Sequence, residues 1–234
     1  MQLENLCRLL FLHDFDVARS RLDVVSDGDN GSVTILRMLV TPVNQVKVDK
    51  ETFHILSREL KRVKWLDPST MDLVFGKYPD LGVARGEIIT GLCAAVHSIL
   101  AKHNAIAFSK ANILETISSE RFISHASSIA DLFLSRFNPI HPLSTKEFDA
   151  TVHGIRGKIE SDVEDRIAQE LLMKMIEVVQ HTLKTNVYMP DRYALSLRLD
   201  PAIMVTIDKN HKEMPFGVIF VHGRRFNAFH VRFR

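Results

Sequence analysis

Lys184-Thr185-Asn186-Val187-Tyr188-Met189-Pro190-Asp191-Arg192-Tyr193-Ala194-Leu195-Ser196-Leu197-Arg198-Leu199-Asp200-Pro201 marks the point where the chain changes its period. Upstream, apolar residues recur every three or four positions. From Tyr193 they recur every second: Tyr193, Leu195, Leu197 and Leu199 alternate with Arg192, Ser196, Arg198 and Asp200. That pattern predicts a strand covered on one face, ended by Asp200-Pro201. Phe216 to Val221 is apolar without alternation, as expected of a central strand buried on both faces. His222-Gly223-Arg224-Arg225 reads as a tight turn, and Phe229, Val231 and Phe233 alternate with Ala228, His230 and Arg232 in a third, half-exposed strand. The sequence stops at Arg234 inside that strand, so the expectation is a sheet begun here and continued elsewhere, with an edge free to self-associate.

Working outward, Val163, Ile167, Leu171, Met175, Val179 and Leu183 recur every four residues, predicting a helix buried on one side, with Glu170 and Lys174 as an i,i+4 pair. The same helical stretch begins at Ser144, with Glu147 placed for a capping box, and Gly154 and Gly157 mark where it could break. Further helices are expected over about 84–102, after a Ser109 cap, and over 120–137, the last stopped by Asn138-Pro139. Asp49 caps another, whose stripe is Phe53, Leu56, Leu60 and Val63, ending near Trp65. No strand is read between Pro42 and about residue 192. Residues 2–15 read as a helix. Residues 18–26 and 32–41 read as a hairpin across Asp27-Gly28-Asp29-Asn30-Gly31, whose residues tolerate positive φ. One helix and two strands hold too little core to stand alone.

The expected class is α+β, with a mostly helical middle, an N-terminal helix–hairpin and three C-terminal strands that start a mixed sheet. At 234 residues, 46% hydrophobic and 25% charged, the chain is globular rather than disordered. Its net charge of +2 is unevenly placed, because nine lysines and arginines from Lys184 onward face four acids. The apolar run Ile88–Val96 is too short to cross a bilayer, and no targeting signal is readable. Cys7 and Cys93 read as small hydrophobes.

Catalytic motifs are absent: no glycine-rich nucleotide loop, no nucleophile elbow and no zinc-binding histidine motif occurs. His222 and His230, on strands joined by a turn, are the nearest approach to a metal pair, and hydrogen-bonded or surface histidines are the plainer reading. His97 and His103, at a helix end, read as half-buried or capping. Arg192, Arg198, Arg224, Arg225 and Arg232 would form a basic rim facing phosphates or carboxylates, or simply a solvated strand face. Tyr193, Phe226, Phe229 and Phe233 are interleaved with them, but Phe229 and Phe233 share a face with Val231, which favours core over nucleic-acid stacking.

The segments Leu183–Pro190, Ala194–Pro201 and Phe226–Phe233 resemble the large NAD-dependent glutamate dehydrogenases of fungi and protists. That family has a helix ending in Lys-Thr-Asn, a strand closing on Arg-Leu-Asp-Pro, and a hairpin strand Phe-His-(Leu/Val)-Arg-Phe. The resemblance implies residues 1–42 as the end of an ACT-like module, 43–185 as a helical region, and 186–234 as the first strands of the substrate domain. It implies oxidative deamination of glutamate to 2-oxoglutarate and ammonia in a parent enzyme, with NAD as hydride acceptor, in a homo-oligomer of the cytoplasm or mitochondrion. The family's Ala-Arg-Gly-Gly motif, catalytic lysines and aspartate and Rossmann domain have no counterpart in these residues. No catalytic, cofactor-binding or metal-binding residue therefore carries over, and the 234 residues alone are expected to be inactive. The alternative is a stand-alone helical or anion-binding module working through the Arg-rich hairpin.

Overall fold

The structure is a computed structural model that describes residues 3–26, 28, 31–43, 48–204 and 214–233. The chain is α+β and divides into two compact units, Met1–Lys64 and Trp65–Arg234.

In the first unit, α1 (Leu3–Leu12) leads into a long antiparallel hairpin of β1 (Phe15–Ser26) and β2 (Ser32–Pro42), followed by α2 (Lys50–Arg62). The first strand starts at Phe15, earlier than the periodicity suggested, because Asp14 takes φ 58° and reverses the chain in one residue. Aspartate tolerates that region better than a branched residue would. The register slips between Val17 and Arg19, a bulge at Ala18 that obscures the alternation there. Gly28 and Gly31 have φ of 52° and 110°, as the expected turn requires, while Asp27, Asp29 and Asn30 lie outside the described residues. Asp49 caps α2 by accepting from the Thr52 amide at 2.8 Å. Leu10, Phe15 and Leu56 form a small core with Val17, Met38, Val40 and Leu60 against it, and His13 Nε2 meets Glu59 Oε2 at 2.7 Å. Phe53, expected on the apolar stripe, is exposed, as are Leu22, Val24, Val25 and Val33 at the far end of the hairpin.

The second unit is built around α4 (Gly82–Leu100), reached through the short α3 (Pro68–Met71) and a π-helical turn at Asp72–Lys77. Pro79–Leu100 is long and apolar enough by composition to cross a membrane, but 78% of that window is buried inside the protein. Residues from Gly86 to Val96 are all buried, which is why the sequence there is apolar all round instead of striped. Around it pack α5 (Lys110–Ile117), α6 (Ile123–Arg136) and α8 (Arg166–His181), with α7 (Thr145–Asp162) laid against α6 and α8. Ser109 and the Ser144–Glu147 capping box start α5 and α7 as read from sequence.

The long stretch from Ser144 does break, though not at its glycines. Gly154 and Gly157 lie inside α7, and the chain turns at Val163-Glu164-Asp165, where the Asp165 carboxylate caps α8. Lys174 pairs with Glu177 at 2.5 Å and not with Glu170. The four-residue stripe is buried at Leu171, Met175 and Val179, and its last member, Leu183, has left the helix. Thr182–Thr185 is instead a strand, β3, absent from the sequence reading because four residues carry too few alternations to register. It joins β4 (Ala194–Leu199), β5 (Gly217–Gly223) and β6 (Phe226–Arg232) in a sheet of order β3-β4-β5-β6, antiparallel at every described pairing. The sheet thus has four strands where three were expected, with β5 in its interior as predicted.

Candidate functional site

Leu195, Leu197, Leu199, Val218 and Phe220 point from the sheet into the helical core and are fully buried. The opposite face carries Ser196 and Arg198 of β4, Ile219 and Val221 of β5, and Ala228, His230 and Arg232 of β6. The candidate site is this outer face, together with the 186–193 loop that rises beside it.

Side-chain hydrogen bonds of Thr185, Asn186, Tyr188 and Arg192 hold the loop in place. Asn186 substitutes for a strand residue: its side-chain amide donates to the Ala194 carbonyl at 3.0 Å and its Oδ1 accepts from the Ser196 amide at 2.8 Å. Thr185 Oγ1 accepts from the Val187 amide at 3.2 Å, and the Tyr188 hydroxyl donates to the Leu134 carbonyl on α6 at 3.0 Å. Arg192 reaches back to α4, where its guanidinium donates to Glu87 Oε2 at 2.5 Å; the two side chains are only 6% and 7% exposed. The same guanidinium donates to the carbonyls of Val187 and Met189. A buried pair of this kind has desolvation to overcome, and additional hydrogen bonds to backbone carbonyls are what make the geometry tenable. Tyr193 meets Trp65 edge to face with ring centroids 4.6 Å apart. Between loop and sheet lies a cleft of about 470 Å³, lined by Asn186, Met189, Pro190, Tyr193, Ser196 and Val221 among others. Its apolar walls and few polar groups suit a side chain or a small organic body.

The five arginines of the expected rim therefore separate. Arg192 is not on it, because Glu87, 105 residues earlier, takes it into the interior. Arg224 and Arg225 sit on the turn after β5, and Arg198 and Arg232 lie on the outer face. Two groups not counted in that rim join them: Lys184 is paired across from Arg198, and His230 lies in the same cross-strand row beyond Ile219. Register alone reveals this, since four strands must be aligned before the row exists.

His222 and His230 do not meet. His222 is on the inner face, 3% exposed, with Nδ1 2.7 Å from Asn227 Oδ1 and its ring against Gly91 of α4, while His230 is exposed on the outer face. His97 Nδ1 lies 2.8 Å from the Phe108 carbonyl; a carbonyl only accepts, so Nδ1 carries the proton. His103 is exposed in the turn after α4. Cys93 is buried and its thiol is pushed up to about 12 by loss of solvent, which makes it unreactive; Cys7 is half-buried, and neither is in a disulfide. Phe229 and Val231 pack on the core as expected, whereas Phe226 and Phe233 are exposed.

No protein-family model matches the chain. It is 36% identical over 93 residues, 39% of its length, to glutamate dehydrogenase 2 of Dictyostelium discoideum. It is 32% identical over 105 residues, 44% of its length, to the NAD-specific glutamate dehydrogenase of Saccharomyces cerevisiae. The chain spans 9% of the length of each of these curated relatives. About two-fifths of the chain is thus related to glutamate dehydrogenases.

Proposed function

We propose that these 234 residues are a scaffold segment of an NAD-dependent glutamate dehydrogenase, carrying the first strands of its substrate domain. The parent enzyme would deaminate L-glutamate oxidatively to 2-oxoglutarate and ammonia, as a homo-oligomer in the cytoplasm or mitochondrion. The similarity to two glutamate dehydrogenases carries this reading. Residues 1–42 would close an ACT-like module, and 43–185 would be the helical body on which the sheet is laid.

A dinucleotide site is not assigned to these residues in this reading. Such a site needs a parallel strand–glycine loop–helix–strand unit, and every described strand pairing is antiparallel. NAD would therefore be held elsewhere in the parent, and no hydride or proton step is assigned to these residues. Their contribution is positional: the Glu87–Arg192 pair and the Asn186 bridge hold β4 and its loop against α4 at one fixed height.

The test is to assay the purified 234-residue protein with glutamate and NAD, beside the full-length Saccharomyces cerevisiae enzyme as a positive control. No turnover above a protein-free blank is expected, and turnover would overturn the scaffold reading. A second arm replaces the corresponding stretch of that enzyme with these residues. Retained activity supports the assignment, whereas a folded but inactive chimera counts against it. Burial removes Arg192 from the basic rim, which keeps its other four arginines.

A further inference from the structure

Lys184 and Arg198 face each other directly across β3 and β4, both exposed. Like charges at opposed positions destabilise a sheet. Among the described residues neither makes an ion pair or a side-chain hydrogen bond, so nothing there relieves the repulsion. The row continues through Ile219 to His230, and Arg232 stands further along β6 with its guanidinium 5.5 Å from the Phe216 ring. Beside the row, Ser196, Val221 and Ala228 pair across β4, β5 and β6 as a strip of small side chains and one valine, next to the cleft walled by Met189 and Tyr193. Cations thus run along a strip of small and branched side chains, on a sheet whose other face is already filled by helices.

We infer that this outer face is the docking surface for an acidic amphipathic α-helix presented by a partner protein. The three longer strands, β4 to β6, spaced about 4.8 Å apart and about 20 Å long, offer a diagonal of roughly 22 Å, which seats a helix of about 15 residues. The helix lays its apolar stripe over Ile219 and Val221, with one side chain in the cleft, and its carboxylates meet Lys184, Arg198 and Arg232. Charge complementarity favours acids. Protein is chosen over nucleic acid for the middle of the face, where Ser196, Ile219, Val221 and Ala228 carry no ring; the exposed rings of Tyr193, Phe216 and Phe226 border it, and the oligothymidine control covers them. The surface is independent of any dehydrogenase chemistry, so its test stands apart from the activity assay.

Fluorescence anisotropy with a labelled peptide of about 18 residues tests it, with leucines at helical i, i+3, i+4 spacing and glutamates flanking them. The controls are the same peptide with lysine for every glutamate and a short oligothymidine. The acidic peptide is expected to bind saturably, to lose roughly tenfold in affinity with Arg198→Glu, and to weaken with added salt, while the lysine peptide does not bind. Arg198→Ala, which leaves the fold without a new charge, should lose less. No saturable binding, or equal binding by wild type and Arg198→Glu, overturns the proposal. So does oligothymidine binding as tightly as the acidic peptide, or self-association of the chain that the peptide fails to displace.

Discussion

Glycine to alanine is the same chemical change wherever it is made in a helix, and this fold predicts opposite signs for it in two helices. In α7, Gly154 and Gly157 have ordinary helical φ, and a Cβ added at either meets nothing within 4 Å. Alanine there removes only the conformational entropy that glycine carries in the unfolded chain, about 1 kcal/mol each. In α4, a Cβ at Gly86 would overlap Cγ2 of Val74. Val74 is fully buried in the π-helical turn and is branched at Cβ, so neither a rotamer change nor a small shift is free. Overpacking of that kind costs about 1–3 kcal/mol, which meets or exceeds the propensity gain. Gly91 is the intermediate case, with Leu195 Cδ2 at 2.9 Å, the far end of a flexible side chain. The expected order of stability is Gly154→Ala above wild type, then Gly91→Ala, then Gly86→Ala. For a unit of this size about 1 kcal/mol corresponds to roughly 2–4 °C in Tm. Thermal and urea melts of the three variants decide it. If Gly86→Ala stabilises as much as Gly154→Ala, the close packing of α4 on Val74 is refuted.

Removing one member of the buried Glu87–Arg192 pair, as in Glu87→Gln or Arg192→Met, should cost about 3–5 kcal/mol, and Glu87→Leu with Arg192→Met together should cost less than either alone; a double-mutant cycle by urea unfolding measures it. Asn186→Ala should cost about 1–3 kcal/mol by leaving the Ser196 amide and Ala194 carbonyl without their bridge, with faster hydrogen exchange at Ser196 as the local reading. The Asp49 and Glu147 carboxyls are held below their ordinary values, Asp49 by its bonds from Thr52 and Glu147 by its bonds from Ser144. Each therefore adds stability above the ordinary carboxylate range that is lost as pH falls through the depressed value. Glu147→Gln should flatten that acid limb in a Tm-against-pH series. Arg198→Glu should replace a like-charge cross-strand pair by an opposite one and stabilise the sheet by about 0.2–1 kcal/mol, declining with salt; a fall in Tm at low salt would contradict the register.

Helix starts were legible because each is written in a few adjacent residues. Ser109, Ser144 with Glu147, and Asp49 all cap where the sequence placed them. The strands of the C-terminal sheet were legible for the same local reason, alternation over at least six residues, and β3 escaped because it has four. The break before α8 was misplaced because two glycines are a conspicuous weakness. The actual stop is the Asp165 cap, whose side chain bonds the amides of Ile167 and Ala168 and so begins a new helix. A glycine only lowers the cost of breaking a helix, whereas a cap supplies the reason to start another.

The arginines show where local reading ends and topology takes over. Arg192, Arg198 and Arg232 look alike in sequence, each in or beside a strand with apolar neighbours. Strand parity places Arg198 and Arg232 outward and would place Arg192 with them, but β4 begins only at Ala194, so the alternation does not govern Arg192. Its fate is decided by Glu87, a carboxylate inside an otherwise apolar helix that sequence reading passed over as part of α4. A buried carboxylate is itself a prediction that a cation must arrive from elsewhere, because an unpaired one would cost several kcal/mol. The informative residue was therefore the acid in the core helix, and the converse applies on the sheet's outer face: Lys184 and Arg198, opposed and without an acid among the described residues, mark where an added carboxylate would be stabilising.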